Sequence, residues 1–99
     1  MKSLFLIFII LFLTSCSLTK TRANKLFKKG NFDRARELYV QVLKSDPNDE
    51  EALSKKKIAE KKIINRDLVK IRDLIGAGLF KAALSTSKAL LKNMNEWKV

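Results

Sequence analysis

The side chain with the most chemistry in it is the lone cysteine, Cys16, which follows the small residues Thr14 and Ser15. Upstream, Lys2 leads into ten unbroken apolar residues, Leu4 to Leu13. A bilayer core takes roughly 20 helical residues to cross, so this run reaches about halfway. A short charged segment, an apolar stretch of this length and small residues before a cut site read as a secretory signal peptide over residues 1–15. The competing reading is an uncleaved anchor with an idle thiol.

The order Leu13-Thr14-Ser15-Cys16 resembles the bacterial lipobox, which runs Leu, a small residue, Gly/Ala/Ser, then Cys. The resemblance implies cleavage before Cys16, diacylglycerol on its sulfur and, usually, an acyl chain on its amine. Two chains suffice for stable anchoring, so the expected partner of Cys16 is the membrane, with no protein span. In enteric bacteria the absence of Asp after the lipidated Cys favours the outer membrane, and Ser17 meets that rule. The implied location is the cell envelope, at the periplasmic face of the outer membrane. With Cys16 acylated, no thiol is left for a disulfide or a metal, and residues 16–99 must fold by packing alone.

The remaining chemistry is electrostatic. The chain has 21 basic and 10 acidic residues, a formal charge of +11, and no histidine, the commonest general base and metal ligand. Its carboxylates are scattered, and Asp49-Glu50-Glu51 suits a helix N-terminus, where the helix dipole favours negative charge. Ser85, Thr86 and Ser87 have no base nearby in sequence, and there is no glycine-rich phosphate loop. The expectation is a non-enzyme without cofactor, metal or small-molecule substrate. So strong a positive balance speaks of anionic neighbours. An exported lipoprotein rarely meets nucleic acid, which leaves anionic lipid or an acidic protein face. The cluster Lys55, Lys56, Lys57, Lys61 and Lys62 reads either as such a contact or as a solvated helix face.

These groups must be positioned by helices, because three Gly, one Pro and abundant Lys, Leu, Ala and Ile are a helix-forming composition. Residues 16–22 read as a polar tether. From Ala23 the apolar spacing is helical (Ala23, Leu26, Phe27) and stops at Gly30-Asn31. Asp33 is the expected cap of a second helix with Ala35, Leu38, Tyr39, Val42 and Leu43 on one face, ending near Ser45-Asp46 before Pro47. Asn48 with Glu51 suggests a capping box opening a third helix of about 26 residues, with Leu53, Ile64, Leu68, Ile71 and Ile75 as its apolar positions. Gly76-Ala77-Gly78 breaks it, and a fourth helix with Phe80, Ala83, Leu84, Leu90 and Leu91 ends near residues 93–95.

The two hairpins look alike: Gly30-Asn31-Phe32-Asp33-Arg34-Ala35 aligns with Gly78-Leu79-Phe80-Lys81-Ala82-Ala83, and Val42-Leu43 with Leu90-Leu91. The first resembles a tetratricopeptide repeat, a 34-residue helix–turn–helix unit. It supplies Ala23, Leu26, Gly30, Phe32, Ala35, Tyr39, Val42 and Pro47 at the expected places. Thr19 and Arg22 depart from the pattern, which puts the first helical turn in question. In the weaker second copy Ile71, Leu74, Ala83 and Leu90 fall on buried positions, Ser87 replaces an aromatic and Asn95 the Pro. The copies lie 48 residues apart, so 14 extra residues, nearly four turns at 3.6 per turn, lengthen the third helix without rotating its face.

The expected fold class is thus all-α, two tetratricopeptide-like hairpins in four helices with the third long, over residues 23–99. The repeats cover about 16–49 and 64–97. A plain four-helix antiparallel bundle is the alternative. The resemblance implies a protein–protein adaptor that binds a protein partner on the first-helix face of each repeat. The matching positions are Asn24, Phe27 and Lys28, then Arg72 and Ile75, with Leu68 expected to be buried. Phe27 reads equally as core, and Trp97 either caps the last hairpin or stands out as an anchor. Lipid anchor plus repeats is also similar to the lipoprotein subunit of the outer-membrane β-barrel assembly machinery (BamD), whose members are much longer. Two other readings stay open: a basic membrane-surface module and a host-facing surface lipoprotein.

Overall fold

A computed structural model describes residues 18–99, and Cys16 with the leader lies outside the described residues. Those residues form four helices and no strand. They are α1 (described over 18–28), α2 (Phe32–Ser45), α3 (Glu50–Gly76) and α4 (Phe80–Trp97). The described residues divide into two compact units, one up to Ala59 and one from Glu60 onward, with the boundary inside α3.

The first unit is built on small residues. Ala23, Ala35 and Ala52, from α1, α2 and α3, are each fully buried, in one cluster with Leu38, Tyr39 and Val42. A methyl side chain lets helix backbones approach closely, and the larger side chains then fill the gaps at crystal-like density. Leu26, Phe27 and Leu43 pack against this cluster. Phe27 makes edge-on ring contacts with Phe32 (centroids 5.4 Å, 83°) and Tyr39 (6.3 Å, 72°). Such pairs contribute about 0.5–1.5 kcal/mol each beyond their burial. In the second unit Ile63, Ala83 and Leu90 are the buried apolar side chains and Glu60 the buried charged one.

The chain reverses at two turns of one kind. Gly30 (φ +82°) donates its amide to Phe27 O, and Asn31 donates to Leu26 O. Gly78 (φ +76°) donates to Ile75 O, and Leu79 to Leu74 O. Each is a Schellman motif, whose left-handed residue carries no penalty when it is glycine. The aligned glycines therefore perform the same backbone task in both hairpins. Lys98 (φ 59°) closes α4 the same way, its amide reaching Asn95 O and that of Val99 reaching Met94 O.

Several local expectations are corrected. Residues 18–22 are helical rather than a tether. The cap of α2 is Asn31, whose side chain accepts from the Arg34 amide, not Asp33, which falls inside the first turn. The cap of α3 is Asp49, accepting the Ala52 amide at 3.0 Å, whereas the Asn48 amide turns back to Asp46 Oδ1. Helix α4 runs on to Trp97. The buried apolar positions of α3 are Ala52, Ala59 and Ile63, while Leu53, Leu68 and Ile75 are exposed and Ile64 and Ile71 half-buried. On α4, Ala83 and Leu90 are buried but Phe80, Leu84 and Leu91 are exposed. A search for large apolar residues overlooks alanines, which mark the closest helix approach.

Candidate functional site

The sequence proposes Asn24, Phe27 and Lys28 on α1 as a binding face. The fold turns two of the three inward, toward the start of α3. Asn24 Oδ1 accepts from the Tyr39 hydroxyl and, at 3.0 Å, from Lys55 Nζ. Its amide nitrogen lies 3.5 Å from Glu51 Oε1. Lys55 Nζ also pairs with Glu51 at 3.0 Å and sits 5.9 Å from the centre of the Phe27 ring, a cation–π distance. One turn earlier on α1, Lys20 Nζ bridges Asp49 (3.0 Å) and Glu51 (3.1 Å).

The charges in this strip tune one another. Hydrogen bonds to Asp49 and Glu51 raise the Lys20 ammonium above its ordinary range. The Ala52 amide, then Lys20, hold the Asp49 carboxyl below its usual value; Lys55, then Lys20, do so for Glu51. Burial pushes the Tyr39 phenol up to about 12, helped by the nearby Glu51 charge and opposed by Lys20. A neutral phenol with a neutral amide partner is well suited to a buried site. None of these groups forms a nucleophile–base pair, and no cluster of metal-ligating side chains occurs among the described residues. The strip is an adhesive between α1 and α3.

Lys28 stays exposed and lines an open depression with Thr21, Asn24 and Lys25. Arg72 and Ile75 belong to the second unit. Both are exposed: the Arg72 side chain is 76% exposed beside Asp73 (3.3 Å), and Ile75 is 51% exposed. Leu68, expected to be buried, is 52% exposed. In the lysine cluster, Lys55 is half-buried in the α1–α3 strip and Lys56 is also half-buried, while Lys57, Lys61 and Lys62 stand in solvent. Sequence reasoning missed Lys20, Asp49 and Tyr39 as members of the strip. The available signal was the run Asp49-Glu50-Glu51, read only as helix-end charge.

No helix among the described residues is long and apolar enough to cross a membrane. No family model matches the chain, and neither a curated protein nor a solved structure matches it.

Proposed function

We propose that this protein is a lipid-anchored adaptor: fastened to a membrane through Cys16, it presents tetratricopeptide-like helical hairpins to a protein partner. The observation that carries this reading is the repetition of one hairpin design. Two αL-glycine turns stand 48 residues apart, each followed by a helix with a buried alanine, Ala35 or Ala83. Repeats of this sort bury their apolar faces by stacking on neighbours, and two are fewer than the three such arrays need. The exposed Leu68, Ile75, Phe80, Leu84 and Leu91 are the surface that this shortfall leaves open.

Two measurements test the proposal. Metabolic labelling with palmitate, followed by intact-mass analysis, should show a cleaved, acylated Cys16, and Cys16→Ser should abolish both. Cross-linking in native membranes should trap a protein neighbour. An uncut leader with a free thiol would sink the anchor, and cross-links to lipid alone would sink the adaptor. The exposure of Lys57, Lys61 and Lys62 favours a second reading, in which α3 rests on anionic headgroups. That reading expects residues 17–99 to float with anionic vesicles in a salt-sensitive way, and to stop doing so when these lysines become Gln.

A further inference from the structure

The first hairpin shows what fills such a surface. There the start of α3 lies against α1 and α2: Ala52 joins their buried cluster, Asp49 and Glu51 hold Lys20, and Lys55 and Glu51 hold Asn24. The repeat offset of 48 carries Lys20, Asn24 and Phe27 onto Leu68, Arg72 and Ile75. All three α1 residues are engaged by α3 or by the core it completes. Their second-copy counterparts are exposed, at 52% for Leu68, 51% for Ile75 and 76% for the Arg72 side chain. The same holds along the partner helix, where Leu43 packs on the core but its counterpart Leu91 is 59% exposed.

The geometry points to a docking surface on the second hairpin for an acidic amphipathic helix of another protein, seated as the start of α3 is seated on the first hairpin. The occupant is a helix because the equivalent surface, bounded by the same turn, already holds one. Its apolar face meets Leu68, Ile75 and Leu91. Its carboxylates meet Arg72, whose neighbour Asp73 stands at 3.3 Å, and α4 is itself basic, with Lys81, Lys88 and Lys92 exposed and Glu96 its only acid. A second copy of this chain is disfavoured because it would bring like charge to like charge. Helix-in-groove recognition of this kind is read at i, i+3, i+4 and i+7 anchors. The inference rests on the adaptor reading and narrows it to one face and one partner chemistry.

The test uses the full chain and stapled helical peptides of about 15 residues, because shorter unconstrained helices are marginal in water. One peptide carries a Leu/Ala stripe flanked by Glu, the other the same stripe flanked by Lys. The Glu peptide should bind at least about tenfold tighter, a difference of about 1.4 kcal/mol. Ile75→Lys and Leu91→Lys should each weaken binding about tenfold or more, with helicity by circular dichroism unchanged because both residues are exposed. Arg72→Glu should reverse the preference between the peptides, whereas Lys44→Ala, at an exposed residue of α2, should leave it untouched. Equal binding of both peptides, or indifference to Ile75, Leu91 and Arg72, would overturn the inference. So would anionic-vesicle binding or self-association that Leu91→Lys abolishes while neither peptide binds. A native partner cross-linked around Lys28 instead would overturn this site yet leave the adaptor reading standing.

Discussion

Gly30 and Gly78 occupy left-handed backbone with nothing within 4 Å of where a Cβ would stand, so any cost of substitution there is conformational. Gly30→Ala and Gly78→Ala should each destabilise by about 1–2 kcal/mol in urea unfolding. Gly76→Ala, at a helical residue with equally open space, should be neutral or stabilising. Tyr39 sets an alkaline limit. Its folded pKa of about 12 lies above its ordinary 10, so its contribution is complete below pH 10 and is lost as pH rises toward 12. Tyr39→Phe should cost about 1 kcal/mol at neutral pH and shrink the alkaline step in the stability profile, leaving the part that the raised Lys20 ammonium contributes. Asp49 and Glu51 act in the opposite direction. Their lowered pKa values give stability that is present above their ordinary range and is lost as pH falls below about 4.

At the scale of elements, cap geometry ranks the substitutions. Asp49 accepts the Ala52 amide at 3.0 Å and also holds Lys20, whereas Asn31 meets the Arg34 amide at 3.5 Å. Asp49→Ala should therefore cost about 1–2 kcal/mol by thermal unfolding, and Asn31→Ala only a few tenths. Asn48→Ala should be silent, which would separate the two candidate caps of α3. Helix approach gives a further prediction. Ala35 is fully buried between packed neighbours, and Ala35→Leu should destabilise by about 1–3 kcal/mol through overpacking. Much of this scale was legible in the residues: four helices, the Pro47 and Gly76–Gly78 breaks, and a long third helix all follow from propensity and punctuation. Cap choice was not, because Asn31, Asp33, Asn48 and Asp49 are all competent caps and only the turn conformation decides among them.

The whole molecule divides its stability unevenly. The first unit holds six clustered buried residues, among them the large Tyr39, while the second relies on Ile63, Ala83 and Leu90 as buried apolar side chains. Local opening follows such differences. Hydrogen exchange should show the slowest amides around residues 35–42 and faster exchange along α4, and binding of an acidic helix should slow exchange in α4 most. Uniform protection across both units would contradict this division. By itself the sequence determined the all-helical class, the number of helices and the repeated turn. Those follow from local preferences, of glycine for left-handed backbone and of periodic apolar residues for one helix face. Only the tertiary structure decided which apolar faces are covered. Asn24 and Phe27 are covered by the start of α3, while their counterparts Arg72 and Ile75, on α3 itself, are exposed. Identical periodicity gives no sign of that difference, because burial depends on what another segment brings to the face.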